Sequence, residues 1–251
     1  EVAKQYPKLK LICCHCFYPQ IEKCLLLEEF PNVYFDISSI ADDATILAGM
    51  EAKIKKLIEK VPERVLFGSD YYAALSQYIN EGNYSKIVVL VDTNTAQYCL
   101  NYVLQWLAID VAFEIIEIES GEEHKTIETC TAVWESLIEL DIDRKALLLN
   151  VGGGVVCDLG GFVAATYKRG IDFVNIPTTL LAMVDASVGS KTGVDLGGLK
   201  NMIGTFYEPK MVLVDVTFLE TLPGNQLRSG LAEMFKHGLI ADASYWNQLK
   251  K

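Results

Sequence analysis

The chain has 251 residues, of which 51% are hydrophobic, so it is long enough to bury a full core in one or two domains. Its formal net charge of -11 argues against a nucleic-acid-binding surface, and no apolar run is as long as a membrane span requires. Seven cysteines, an odd number, indicate reduced thiols rather than a disulfide framework. These features predict a cytoplasmic protein whose partners are neither nucleic acids nor membranes.

Near the N-terminus, three apolar runs end in the polar residues His15, Asp36 and Asp70, with helical segments between them. Strands that end in His or Asp are typical of barrels that present metal ligands at their carboxyl face. The motifs PNVYFD and RVLFGSD resemble the last strands of a metal-dependent amidohydrolase barrel, which implies that His15 and Asp70 match metal ligands. The earlier strands and the HxH ligands of that family do not precede Glu1, so we expect no amidohydrolase activity. We expect the exposed strands to pair with other elements.

The cysteine-rich run Cys13, Cys14, His15 and Cys16, with Cys24 beyond it, permits two interpretations. A zinc knuckle would need a second CxxC or HxxxH pair, which the spacing lacks. The run alternates like a strand, so buried thiols are favoured. Residues 1–64 are predicted to be a barrel-type βα fragment, joined by fusion, as a chimera or by a misjoined reading frame.

Strands and helices alternate in the next segment. Strands are predicted over Lys86–Asp92 and Val111–Ile118, and helices over Thr95–Trp106 and Ile127–Glu139. Asp92 ends the first strand, where a dinucleotide-binding fold hydrogen-bonds a ribose hydroxyl. The residues alone favour the alternative that Asp-Thr-Asn-Thr forms a turn or a helix cap.

The central stretch contains a buried apolar strand, Leu147–Val151, that runs into three consecutive glycines. Glycines let the backbone turn sharply and approach a ligand, while the amides at the start of the next helix attract negative charge. The turn Pro177–Thr179 follows, and then a predicted loop that carries polar and charged residues: Asp185, Lys191, Asp195, Lys200 and Asn201. Such residues are costly inside a core, so the stretch predicts a phosphate-binding site.

Five motifs in this order resemble the 3-dehydroquinate synthase family: GGGVVCD, YKRG, PTTLLAMVDASVGSKTGVD, KNMIGTF and SGLAEMFKHG. The resemblance implies an NAD- and metal-dependent enzyme of the shikimate pathway. Its substrate would be 3-deoxy-D-arabino-heptulosonate 7-phosphate, a sugar-acid phosphate that is cyclised to 3-dehydroquinate with loss of phosphate. Cys157 stands where the family usually has glycine, and we expect the turn to tolerate it unless the position needs a positive φ.

The resemblance also implies roles for individual residues. The residues that match cofactor contacts are Asp92, Asn94, Glu122, Lys125, Gly153, Gly154, Asp158, Thr178, Thr179, Lys191, Lys200, Phe218 and Thr221. Those that match catalytic or substrate contacts are Asp185, Lys191, Lys236, Asn201 and Arg169. Arg169 matches an arginine that reaches the substrate phosphate across a dimer interface, so a homodimer is implied.

Glu233 and Lys236 are three residues apart in a predicted helix and share one face. From the pattern alone, an exposed ion pair is favoured. By resemblance, Glu233 is one of three protein ligands to a Zn or Co ion. His237 is one turn from Glu233, but the resemblance places the histidine ligands in a later helical domain. We therefore expect this chain to bind NAD without stoichiometric zinc and to show little turnover.

The predicted fold class is α/β, with a Rossmann-like domain built on a parallel-rich sheet and the start of a helical domain. The predicted domains are an amidohydrolase-like fragment (1–64), an NAD-binding domain (65–222) and an incomplete metal- and substrate-binding domain (223–251). Three other functions are open: another sugar-phosphate cyclase, a metal-dependent alcohol dehydrogenase and a non-catalytic NAD-binding module.

Overall fold

The computed structural model describes residues 10–13, 21–27, 29–36, 44–61, 65–66, 70–241 and 243–250. Its centre is an eight-stranded sheet in the order β3-β2-β1-β10-β7-β6-β4-β5, and every pair of neighbouring strands is parallel. These strands are β1 (Lys10–Cys13), β2 (Val33–Asp36), β3 (Val65–Leu66), β4 (Ile87–Asp92), β5 (Phe113–Ile118), β6 (Leu147–Gly152), β7 (Asp172–Pro177) and β10 (Met211–Val214). The α/β fold class is confirmed.

Helices cover both faces of the sheet. They are α1 (Ala44–Lys60), α2 (Asp70–Glu81), α3 (Thr93–Tyr98), α4 (Leu100–Trp106), α5 (Ile127–Glu139), α6 (Gly154–Thr166), α7 (Gly224–Ala241) and α8 (Ala243–Leu249). The single helix predicted over Thr95–Trp106 is wrong, because the chain forms α3 and α4 with a break at Cys99. No helix in the described part of the chain is long and apolar enough to cross a membrane.

The central strands are buried on both faces, as a parallel sheet with helices on each side requires. Alternate residues of β4 enter different cores: Val89 packs in the core of α2, α3 and α4, whereas Val88 and Leu90 pack in the core of α5 and α6. The uninterrupted apolar run of β4 follows from this double burial, because both sets of side chains leave water.

The N-terminal strands extend the same sheet. Strand β1 pairs with β10 from Lys10 opposite Met211 to Cys13 opposite Val214, and β2 and β3 follow outward. The expectation that these strands pair with other elements is confirmed. His15 lies outside the described residues, and of Asp70 only the backbone is described. The domain boundaries at residues 64 and 222 stay predictions.

The segment predicted as a loop between Thr179 and Asn201 is largely regular, so that prediction was wrong. It contains a π-helical turn, Ala182–Ala186, and the antiparallel hairpin of β8 (Lys191–Leu196) and β9 (Leu199–Phe206). The hairpin turn is Gly197-Gly198, and both glycines have positive φ, as a two-residue type I′ turn requires. The Gly-Gly pair between two β-capable runs was the signal for this hairpin.

Candidate active site

The strand order of the sheet reverses between β4 and β6. The chain passes from β4 to β5 on one side and then crosses to β6 on the other side. Ligands of open α/β sheets bind at such a point. Strand β4 ends at Asp92, and β6 ends at Gly152. The predicted cofactor residues that follow β4, β5, β6 and β7 therefore share this edge.

The glycine turn leads directly into α6. Gly153 is the N-cap residue, and no side chain caps the amides of the first turn. Free amides at the start of a 13-residue helix attract an anion. The end of β7 is held beside this turn, because the Thr178 amide donates to the Gly152 carbonyl at 3.0 Å. Cys157 is buried inside α6 and is not among the residues with positive φ, so its replacement of glycine causes no backbone strain.

Asp92 caps α3. Its Oδ1 accepts from the Thr95 amide at 2.8 Å, and the Asp92 amide donates to Thr95 Oγ1 at 2.9 Å. The helix-cap interpretation is therefore confirmed. Asn94 is exposed in the first turn of the same helix. The cofactor contacts predicted for Asp92 and Asn94 stay predictions.

Lys125 brings two distant parts of the chain together. Its Nζ donates to Asp158 Oδ2 on α6 and to Asn201 Oδ1 on the hairpin, both at 2.6 Å, although Lys125 is only 3% exposed. Asn201 has a φ of 55°, and its amide donates to Asp195 Oδ1 at 2.7 Å. We call Lys125, Asp158 and Asn201 the buried centre after its buried lysine; Asp158 is partly buried and Asn201 is exposed. It joins three residues that the sequence assigned to cofactor or substrate.

The pKa of the Asp158 carboxyl is raised because burial disfavours its charged form. The Lys125 ammonium acts in the opposite direction and limits the rise. At the rim above, Lys200 forms an exposed ion pair with Glu122 at 2.8 Å, and this carboxylate raises the pKa of Lys200.

A cleft of about 1020 Å³ lies between the hairpin and α7, which is large enough for a cofactor or a sugar phosphate. Its lining includes the predicted residues Asp158, Asp185, Lys191 and Asn201. Apolar and aromatic residues that sequence reasoning missed also line it: Met202, Phe206 and Tyr245. Met202 and Phe206 belong to the motif KNMIGTF but were assigned no role, and Tyr245 lies outside the five motifs.

Three side chains with metal-ligating atoms converge at this cleft: Asp185, Glu233 and His237. Their donor atoms all lie within 4.8 Å of one another. Asp185 lies in the π-helical turn, whereas Glu233 and His237 are one turn apart on α7. Asp185 and His237 are two further potential donor residues beside Glu233, and the expectation that the chain offers one metal ligand stays a prediction. The Glu-x-x-x-His spacing was visible in the sequence, but the approach of Asp185 was not.

Lys236 lies against both carboxylates of this cluster. Its Nζ forms an ion pair with Glu233, as the shared helix face predicted, and is 3.9 Å from Asp185 Oδ1. Glu233 holds the pKa of Lys236 above its ordinary value through a hydrogen bond. Lys236 therefore neutralises part of the negative charge in the cluster.

The remaining predicted residues lie elsewhere. Arg169 is exposed, has a φ of 70° and is not among the residues that line the described cleft. Phe218 is buried against Tyr102, with ring centroids 5.6 Å apart, and Thr221 Oγ1 donates to the Phe218 carbonyl at 3.3 Å. Thr179 Oγ1 accepts from the Ala182 amide and so starts the helical turn after β7.

Two family models match different parts of the chain. A model of the 3-dehydroquinate synthase N-terminal family matches residues 115–229, and an amidohydrolase model matches residues 1–85. A 3-dehydroquinate synthase from Parabacteroides distasonis is 42% identical over 179 residues, which are 71% of this chain and 50% of that protein. The chain thus spans about half the length of this relative.

Solved structures show the same relationship. A 2-deoxy-scyllo-inosose synthase complexed with carbaglucose-6-phosphate, NAD+ and Co2+ is 29% identical, with a TM-score of 0.63 over 68% of this chain and 47% of that chain. A 2-epi-5-epi-valiolone synthase from Streptomyces hygroscopicus with NAD+ and Zn2+ bound is 36% identical, with a TM-score of 0.61 over 64% of this chain and 46% of that chain. Residues 115–229 of this chain thus match the model of the 3-dehydroquinate synthase N-terminal family, and the similarity to these two solved synthases covers 68% and 64% of the chain.

Proposed function

We propose that this chain carries the NAD-binding part of a 3-dehydroquinate synthase. The whole protein would cyclise 3-deoxy-D-arabino-heptulosonate 7-phosphate to 3-dehydroquinate with loss of phosphate. The observation that carries the proposal is the buried centre: Lys125 ties α6, next to the glycine turn, to the hairpin residue Asn201. The carboxyl edge of the sheet, where NAD is proposed to bind, and the cleft proposed for the substrate are thereby held in place relative to each other.

The glycine turn fits the pyrophosphate of NAD. The first-turn amides of α6 have no side-chain cap, and Gly153 and Gly154 are partly exposed. A Cβ at Gly153 would lie 3.0 Å from Thr179 Cγ2, so a side chain at this position would crowd the turn. Asp92 and Lys200, at the same edge, are proposed to contact the adenosine and phosphate parts.

The bound groups and the chain would divide the chemistry. NAD supplies a reversible hydride acceptor, and a divalent metal supplies a Lewis acid that polarises a substrate hydroxyl. Lys191, Asn201 and Lys236 bind and orient the phosphate of the substrate at the cleft. Lys125 keeps Asp158 oriented towards the carboxyl edge of the sheet, and Phe206 forms an apolar part of the cleft wall.

A homodimer is part of the proposal. Arg169 is exposed on a strained turn, where Lys168 also has positive φ. Among the described residues, it is not one of those that line the cleft. An arginine placed there would serve a neighbouring subunit. Sedimentation of the purified chain tests this assembly.

A second candidate function is another sugar-phosphate cyclase. The similarity to the 2-deoxy-scyllo-inosose and 2-epi-5-epi-valiolone synthases favours it, because a shared fold and cofactor do not fix the substrate. Substrate trials on the whole protein that compare 3-deoxy-D-arabino-heptulosonate 7-phosphate with other sugar phosphates distinguish these reactions.

Isothermal titration with NAD tests the proposal on the chain itself. We expect saturable 1:1 binding, and we expect Gly153→Val to weaken it by at least about tenfold because the side chain overlaps Thr179 and crowds the free amides. Gly224→Val is the matched control, since a Cβ there meets only Arg228 Nη1 at 3.7 Å. Failure of the folded wild-type chain to bind NAD would contradict the proposal.

A further inference from the structure

The sheet joins two parts of the chain that match different families, and the proposed function does not explain this union. Strands β1, β2 and β3 lie within residues 1–85, which match the amidohydrolase model, whereas β10 lies within residues 115–229. The two parts meet where β1 runs parallel to β10 in continuous register. One pair of strands therefore carries the junction within the sheet.

Strand β10 has the composition of a strand that is covered on both sides. Its sequence, Met-Val-Leu-Val, contains no charged residue and no proline, and Met211, Val212 and Leu213 are buried. Natural sheets protect exposed edges with charges, prolines or bulges. The outer strand β5 follows this rule, because Glu114 and Glu117 interrupt its apolar run. Without β1, β10 would present an unprotected apolar edge with unpaired backbone groups.

The N-terminal unit, which we define as β1, β2, β3 and α1, has buried side chains outside the two main cores. Among the described residues, Val33, Phe35 and Leu57 are buried but belong to neither of the cores that flank the central strands. Helix α2 differs, because Tyr72 and Leu75 pack in the core that also contains residues of β10. The unit therefore joins the rest of the sheet chiefly through the pairing of β1 with β10.

We propose that the outer edge of β10 is a strand-acceptor site, and that the N-terminal unit docks there as a strand donor. The partner that this edge fits is an extended, mainly apolar segment that runs parallel to β10, and Lys10–Cys13 is its occupant in this chain. Main-chain hydrogen bonds supply the affinity of such strand addition. The amidohydrolase-like segment thus completes the sheet and needs no metal-dependent hydrolysis to do so. The inference requires neither NAD nor substrate, so it is independent of the proposed function.

Disulfide trapping tests the register of the docked strand. Val214→Cys places a thiol opposite the native Cys13, and paired strands lie about 4.8 Å apart, within the Cα separation of about 4.4–6.8 Å that disulfides span. Oxidised glutathione should therefore link Cys13 to position 214, and mass spectrometry of the digested protein identifies the link. Adding Cys13→Ser should reduce the linkage at least about tenfold. Adding Cys14→Ser is the matched control and should leave the linkage unchanged.

Strand addition is tested on the whole chain with a protease site inserted between Leu66 and Asp70. After cleavage, the two fragments should elute together in gel filtration. Leu11→Pro combined with Ile12→Pro should weaken their association at least about tenfold, because prolines at two successive positions remove a backbone donor on each side of β1. Hydrogen exchange shows whether the effect is local: the amides of β10 should exchange faster, whereas those of β6 keep their protection.

The proposal fails if position 214 links to Cys14 as readily as to Cys13, or if the cut fragments separate without any proline substitution. It also fails if the double-proline variant stays associated as the wild type does. Preferential linkage at Cys13, together with release of the fragment by the prolines, supports it. NAD titration enters none of these outcomes, so the proposed function is tested separately.

Discussion

Two polar clusters at the same cleft differ in how far their charges are balanced by partners within the chain. In the buried centre, Lys125 meets Asp158 and Asn201, and each group has its partner within the chain. In the second cluster, Asp185 and Glu233 converge beside His237, and among the described residues Lys236 forms ion pairs with both carboxylates. The first cluster is complete without a ligand, whereas the second carries uncompensated negative charge.

This difference teaches how each cluster should be tested. A buried pair that is satisfied internally contributes to the fold, so removing one partner changes stability. A partly exposed cluster in which one cation faces two carboxylates contributes little to stability and most to binding. Variants of the two clusters should therefore separate into stability effects and affinity effects.

Lys125→Met gives the largest expected effect on stability. The substitution leaves Asp158 and Asn201 without their buried donor, and loss of one member of a buried pair costs about 3–5 kcal/mol. Urea unfolding at pH 7 measures the change. A partial recovery in Lys125→Met/Asp158→Leu would confirm that the cost comes from the unpaired carboxylate. An unfolding free energy equal to that of the wild type would break the comparison.

The loss of stability in Lys125→Met should also depend on pH. The folded-state pKa of Asp158 is raised above its ordinary value of 3.8, chiefly by burial. The stability linked to this group is therefore present below pH 3.8 and is lost as the pH rises through the folded-state pKa. Without Lys125 the pKa rises further, so the deficit of Lys125→Met should grow from pH 4 to pH 7. Asp158→Asn should remove that slope.

Gly204→Ala should have the next largest effect, since it separates the strands that hold the buried centre. Gly204 faces Gly193 across the hairpin, and a Cβ at Gly204 would overlap the Thr192 carbonyl. Overpacking of this kind costs about 1–3 kcal/mol. Faster hydrogen exchange of the hairpin amides should accompany the loss, because Asn201 moves away from Lys125. Gly224→Ala serves as the control, and equal stability of both variants would contradict the close packing.

The sequence predicted the central sheet better than its edges. β4 is an apolar run up to Asp92, and β6 is apolar apart from Asn150, as burial on both faces favours, so their bounds were found nearly to the residue. The pairing of β1 with β10 was not predicted, because pairing between strands about 200 residues apart leaves no periodic signal in the sequence. The break at Cys99 was missed because the apolar spacing continues through it.

For the site, the motifs predicted the residues but not their partners. Glu122 and Lys200 were both assigned to the cofactor, yet nothing in their spacing showed that they form an ion pair. Asp185 approaches α7 because a π-helical turn redirects it, and no composition signal encodes such a turn. The residue types of the site can be identified from the sequence, whereas the approach of these residues to one another depends on packing between distant elements.

Lys200→Met should have the smallest effect on stability, because it removes an exposed ion pair rather than a buried one. The ion pair of Lys200 with Glu122 is exposed, with the lysine side chain 70% accessible, so its loss should leave the unfolding free energy nearly unchanged. If Lys200 contacts a cofactor phosphate, the same variant should weaken NAD binding by about tenfold, and more at low salt than at high salt. Calorimetry of NAD binding beside urea unfolding gives both values. An unchanged affinity would assign Lys200 to the surface ion pair alone and would restrict phosphate binding to the amides of the glycine turn.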